Sequence, residues 1–94
     1  MQIDEFQRLI EAIYYEKDSK RGLAGTYMWF AEEVGELTRA LRRDTREELE
    51  GEFADVLAWL ASLASIAGID LAEAARKKYE LGCPRCAATP CTCG

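Results

Sequence analysis

Apolar residues at Phe6, Leu9, Ile10 and Ile13 recur at the spacing of one helical face and predict a first helix over residues 4–17. The next stretch, Asp18-Ser19-Lys20-Arg21-Gly22-Leu23-Ala24-Gly25, is polar and turn-rich, and predicts a loop. Thr26 is positioned to cap a second helix that runs to about Arg43, with Phe30, Val34, Leu37 and Leu41 as its core stripe. Asp44-Thr45-Arg46-Glu47-Glu48 then reads as a short turn with a capping-box-like start. A third helix follows to about Ala67 and stops at Gly68, and Asp70 caps a fourth from Leu71 to about Tyr79. No segment alternates with period two, so no sheet is expected. The expected fold is an all-α, four-helix bundle over residues 1–81, followed by a short cysteine-rich tail over 82–94.

Two acidic pairs lie on the predicted second and third helices: Glu33-Val34-Gly35-Glu36 and Glu52-Phe53-Ala54-Asp55. Each pair is spaced i, i+3, which puts both carboxylates on one side of a helix. At about 100° per residue, Trp29, Glu33, Glu36 and Ala40 form one stripe, and Glu48, Glu52, Asp55 and Trp59 form another. A short turn makes the two helices antiparallel neighbours, so four carboxylates face one point with both indoles on the same side of it. Four like charges held together need a cation, and hard divalent ions favour oxygen donors. The pattern points to a Mg²⁺ site and, through it, to phosphate chemistry. A solvated acidic face is the ordinary explanation for one such pair, and a core or interface position is the ordinary one for either tryptophan.

Charge and composition narrow the field further. The chain has 94 residues, enough for one domain, and 12 basic against 17 acidic side chains give a net charge of −5. That balance disfavours nucleic-acid polymers and anionic membranes as partners. There is no histidine, which excludes Ser-His-Asp and Cys-His catalysis and mixed Cys/His zinc sites. The N-terminus lacks the basic start and apolar run of a signal peptide, and Val56–Ile69, at 14 residues, is too short to span a bilayer. A cytoplasmic protein is expected.

The stretch Trp29-Phe30-Ala31-Glu32-Glu33-Val34-Gly35-Glu36-Leu37, followed by Glu52-Phe53-Ala54-Asp55-Val56-Leu57 with a 15-residue spacer (Leu37 to Gly51) between Glu36 and Glu52, resembles the all-α MazG-like nucleotide pyrophosphohydrolases. Their motif is ExxE, a spacer, then ExxD, and the resemblance covers roughly residues 4–80. It implies hydrolysis of a nucleoside triphosphate to the monophosphate and pyrophosphate, with Glu33, Glu36, Glu52 and Asp55 as catalytic ligands of Mg²⁺. It also allows a homodimer or a tetramer, which the broadly apolar third helix calls for independently. Trp29 and Trp59 are candidates to stack on the base. Arg21 and Lys20 in the first loop, and Lys77 and Lys78 at the end of the fourth helix, are candidates to meet phosphates. Lys78 leads because the resembling proteins carry a lysine near that helix end. A cation at a helix C-terminus is also favoured by the helix dipole alone.

The tail carries Cys83, Cys86, Cys91 and Cys93, a CPxC followed by a CxC with only four residues between the pairs. In a reducing compartment this density suggests metal, and Zn²⁺ on four thiolates is the simplest occupant. The spacing leaves three outcomes open: one tail folded tightly around zinc, two tails sharing ions across an oligomer, or disulfides and unstructured thiols. The alternative to an enzyme is a helical metal-binding or assembly module whose tail recruits a partner.

Overall fold

A computed structural model describes the whole chain, Met1–Gly94. It is all-helical, with α1 over Ile3–Arg43, α2 over Arg46–Ile66 and α3 over Leu71–Tyr79. There are three helices where four were expected, because the first two are joined into α1. The joint is Gly22, whose φ of 84° and ψ of 172° interrupt the helix for a single residue. A straight helix of 41 residues would run about 62 Å at 1.5 Å per residue, yet the longest dimension of the molecule is 41 Å. α1 therefore bends sharply at Gly22 into two arms. A positive φ of this size favours glycine, and a Cβ there would meet no atom within 4 Å, so the constraint is backbone conformation rather than crowding.

The loop expected over Asp18–Gly25 is thus helical on both sides of Gly22, and Thr26 lies inside α1 rather than capping it. The reason is a buried polar cluster at the bend. Asp18 and Thr26 are both buried, and the Arg21 guanidinium donates to Asp18 Oδ1 at 2.9 Å and to Thr26 Oγ1 at 3.5 Å. Side chains that favour turns when solvated are satisfied here by one another.

The remaining boundaries follow local chemistry. Thr45 caps α2 by accepting from the Glu48 amide at 3.3 Å, and Asp70 caps α3 by accepting from the Glu73 amide at 3.1 Å. Gly68, at φ 73°, turns the chain between them, and α3 leaves α2 at 95°. Gln7 fastens this corner to α1. Its side-chain amide donates to Ile69 O at 2.8 Å and Ser65 Oγ at 3.1 Å, and its Oε1 accepts from the Leu71 amide at 2.9 Å.

α1 packs against α2 along a small core that includes Ile10, Ala40, Ala61 and Ala64. The expected core stripe is only partly covered: Phe30 and Leu37 are half-buried, whereas Val34 and Leu41 are exposed. No single helix is long and apolar enough to cross a membrane.

Candidate active site

The second arm of α1 and the first half of α2 run side by side, and the helical period turns Glu33 and Glu36 toward Glu52. Carboxylate oxygens of these three residues lie within 4.8 Å of one another. Glu33 Oε1 and Glu52 Oε2 are buried without a hydrogen-bond partner. Burying a charged carboxylate oxygen unpaired is costly, so such a group either takes up a proton or awaits a cation. Glu33 registers this strain. Its carboxyl is raised to about 7, first by desolvation, then by the adjacent Glu52 and by the charges of Glu36 and Asp55. Asp55 stands outside the tight trio but close enough to act on Glu33, and it is exposed. Glu32 points to solvent, one position away from the cluster.

Asp55 links the trio to an adjacent cavity of about 250 Å³. Tyr14, Lys17, Asp18 and Arg21 line it from the first arm of α1; Asp55, Ala58, Trp59 and Ser62 line it from α2. The bend at Gly22 is what brings that first arm back against α2. Tyr14, Lys17 and Ser62 were not singled out from sequence, because nothing in their local spacing sets them apart from other surface positions. Arg21 also lies over the Trp59 ring, 5.1 Å from its centroid.

Trp29 and Trp59 come together as expected from their stripes, but they touch each other. Their ring centroids are 6.1 Å apart and their planes differ by 10°. A base inserted between two rings needs about 7 Å, two layers of ~3.5 Å, so this pair has to open to admit one. Trp29 is half exposed and keeps open surface, while Trp59 already meets both Trp29 and Arg21. Lys78 lies elsewhere: it is exposed on α3, with its ammonium 5.7 Å from the Tyr79 ring centroid, and does not line the cavity. Lys20 pairs with Glu16 on the outer face of α1 at 3.8 Å.

A family model for the MazG nucleotide pyrophosphohydrolase domain matches residues 21–86, about two-thirds of the chain and all of the acidic cluster. The chain belongs to this MazG family. A search of curated proteins finds no match. Family membership supports a nucleotide pyrophosphohydrolase type of enzyme, and it coincides with the one place where the MazG fold of this chain leaves buried carboxylate oxygens unsatisfied.

The tail of this MazG chain gathers a second donor set. The sulfurs of Cys83, Cys86, Cys91 and Cys93 also lie within 4.8 Å of one another, and all four cysteines are free. Their environments differ. Cys86 is lowered to about 5, chiefly by the Thr92 backbone amide, while Cys93 is raised to about 11 by the sulfurs of Cys91 and Cys83 beside it. Both clusters, one of oxygens and one of sulfurs, could hold a metal.

Proposed function

We propose that this protein hydrolyses a nucleoside triphosphate to the monophosphate and pyrophosphate, using Mg²⁺ held by Glu33, Glu36, Glu52 and Asp55. The observation that carries this reading is the trio of converging carboxylates with two buried, unpartnered oxygens. An all-oxygen, strongly anionic donor set suits a hard divalent cation, and the fit to Mg²⁺ is good on that ground. Bound there, the metal would supply Lewis-acid stabilisation of phosphate charge and a more acidic water.

The chain's own residues account for the rest. Arg21 and Lys17, lining the cavity beside Asp55, supply the positive charge that a triphosphate needs beyond the metal. The half-exposed Trp29 ring offers a stacking face for the base, with Trp59 behind it. Without a cation, desolvation and the neighbouring carboxylates raise the Glu33 carboxyl to about 7, and a divalent ion on the cluster would offset that crowding of like charge.

The active form is proposed to be a homodimer or a tetramer. Leu9, Ile13, Met28, Leu41, Phe53 and Leu60 are all exposed on α1 and α2, apolar side chains that a second chain would cover. The tail is proposed to take Zn²⁺ on its four thiolates, which suits a reducing compartment such as the cytoplasm. Pyrophosphate release, coupled to an added pyrophosphatase and measured over a nucleotide panel with and without Mg²⁺, tests the activity. Release from at least one triphosphate that vanishes without divalent cation is expected, and no release from any nucleotide would reject it.

A further inference from the structure

A tetrahedral zinc site has sulfurs about 2.3 Å from the ion, which sets the edge of the sulfur tetrahedron at about 3.8 Å. The tail meets that measure without help from another chain. Cys83 Sγ lies 3.8 Å from Cys93 Sγ and 3.5 Å from Cys91 Sγ, and Cys86 Sγ lies 4.0 Å from Cys91 Sγ. A disulfide would need about 2.05 Å, so none of these pairs is bonded. Iron–sulfur clusters spread their thiolates around several irons, whereas these sulfurs surround the volume of a single ion.

The backbone is shaped to hold them there. The Cys83 amide donates to Ala88 O at 3.1 Å and the Ala87 amide to Cys83 O at 2.7 Å, closing the turn that carries Cys83 and Cys86. Ala87 takes a positive φ of 58° within that turn. Gly82, at φ 108°, lets the returning strand of the tail approach: a Cβ there would sit 2.7 Å from Thr89 Oγ1 and 2.9 Å from Ala88 O. The return brings Cys91 and Cys93 back onto the first pair, and two amides then point at sulfur. Thr92 N–H donates to Cys86 Sγ and Cys93 N–H to Cys91 Sγ, each at 3.4 Å. Amide donors of this kind orient thiolate ligands and offset their charge. The four-residue interval between the two cysteine pairs, short for a zinc ribbon, is therefore long enough for the chain to reverse.

We infer that each tail closes on itself around one Zn²⁺, forming a saturated four-thiolate knuckle anchored to the end of α3, with no cysteine contributed by another chain. Binding displaces the thiol protons to solvent and leaves no open coordination position, so the ion is structural. The inference rests on the reading of the tail as a zinc site and is independent of nucleotide hydrolysis.

The test uses the full chain, purified reduced. Metal analysis should find one zinc per chain. Titration of the metal-free protein with Co²⁺ should saturate the thiolate-to-cobalt charge-transfer band at one equivalent, unchanged in Glu36→Gln. Two half-site variants, Cys83→Ser/Cys86→Ser and Cys91→Ser/Cys93→Ser, should each lose that band while retaining helical circular dichroism. Co-expressed with different tags and purified together, they should still lack it. Recovery of the band in the mixed protein would overturn closure within one chain while keeping zinc, as would half an ion per wild-type chain. Absence of zinc with thiols titrating as disulfides would overturn both. Should a half-site variant not fold, wild-type stoichiometry held constant through dilution to the monomer decides the matter, and loss of the band on dilution refutes closure.

Discussion

Trp29 and Trp59 stack on one another across the α1–α2 seam, with centroids 6.1 Å apart and planes within 10° of parallel. They lie one helical turn from Glu33 and Asp55 respectively. The contact joins the acidic cluster to the cavity, because Trp59 lines that cavity with Asp55 and Arg21.

Base stacking on an indole contributes roughly 1–3 kcal/mol. Trp29→Leu should therefore raise KM for the preferred nucleotide about 5- to 150-fold at 1.4 kcal/mol per decade, with a smaller effect on kcat. Nucleotide with Ca²⁺ should quench tryptophan fluorescence more than pyrophosphate with Ca²⁺ does. Equal quenching by both ligands, together with an unchanged KM, would return the pair to a packing role.

Glu36→Gln and Asp55→Asn each remove a charge at nearly constant size. Both should abolish pyrophosphate release while circular dichroism shows helicity nearly intact. Turnover in either variant at the wild-type rate and Mg²⁺ dependence would remove that residue from the catalytic set.

The raised Glu33 carboxyl gives the metal-free protein a pH dependence of definite sign. Between the ordinary value of 4.5 and about 7, the folded state holds a proton that the unfolded state has released. Stability should therefore fall as pH rises through this window, by about 1–2 kcal/mol once solvent screening is allowed for. Urea midpoints measured in chelator from pH 4.5 to 8 check this, and Glu33→Gln should flatten the profile.

At the bend, Arg21→Ala would strand the buried Asp18 carboxylate. A loss of about 1–3 kcal/mol is expected, below the figure for a fully buried pair because Arg21 is partly exposed. Gly22→Ala should cost about 1–3 kcal/mol, because φ 84° with ψ 172° is a backbone region essentially restricted to glycine. Urea unfolding measures both, and a neutral Gly22→Ala would mean that the bend is not held in this conformation.

Light scattering at micromolar concentration should report a dimer or larger. Phe53→Glu, placed in the exposed apolar surface of α2, should shift the population toward monomer. A wild-type chain that stays monomeric would remove the oligomer from the proposal.

Features that depend on a few neighbouring residues were legible in the sequence. The i, i+3 spacing of Glu33 with Glu36, and of Glu52 with Asp55, places each pair on one side of a helix whatever the rest of the chain does. Thr45 and Asp70 cap helices because their side chains reach amides three residues on. The reversal near residue 44 makes the two acidic helices neighbours for the same local reason. Four cysteines within 11 residues likewise announce a cluster.

Tertiary structure decided what those local rules leave free. Asp18–Gly25 has loop composition, yet it is helical on both sides of Gly22: Arg21 bonds Asp18 and Thr26 locally, and packing buries both of those side chains. Gln7, polar within an apolar stripe, is buried because it meets backbone groups of the α2–α3 corner more than 60 residues away. The register between α1 and α2 decides that one carboxylate oxygen each of Glu33 and Glu52 is buried while Asp55 stays exposed, and that the two indoles stack on one another. Periodicity specifies which side of a helix a residue occupies; desolvation and contact depend on what is packed against that side.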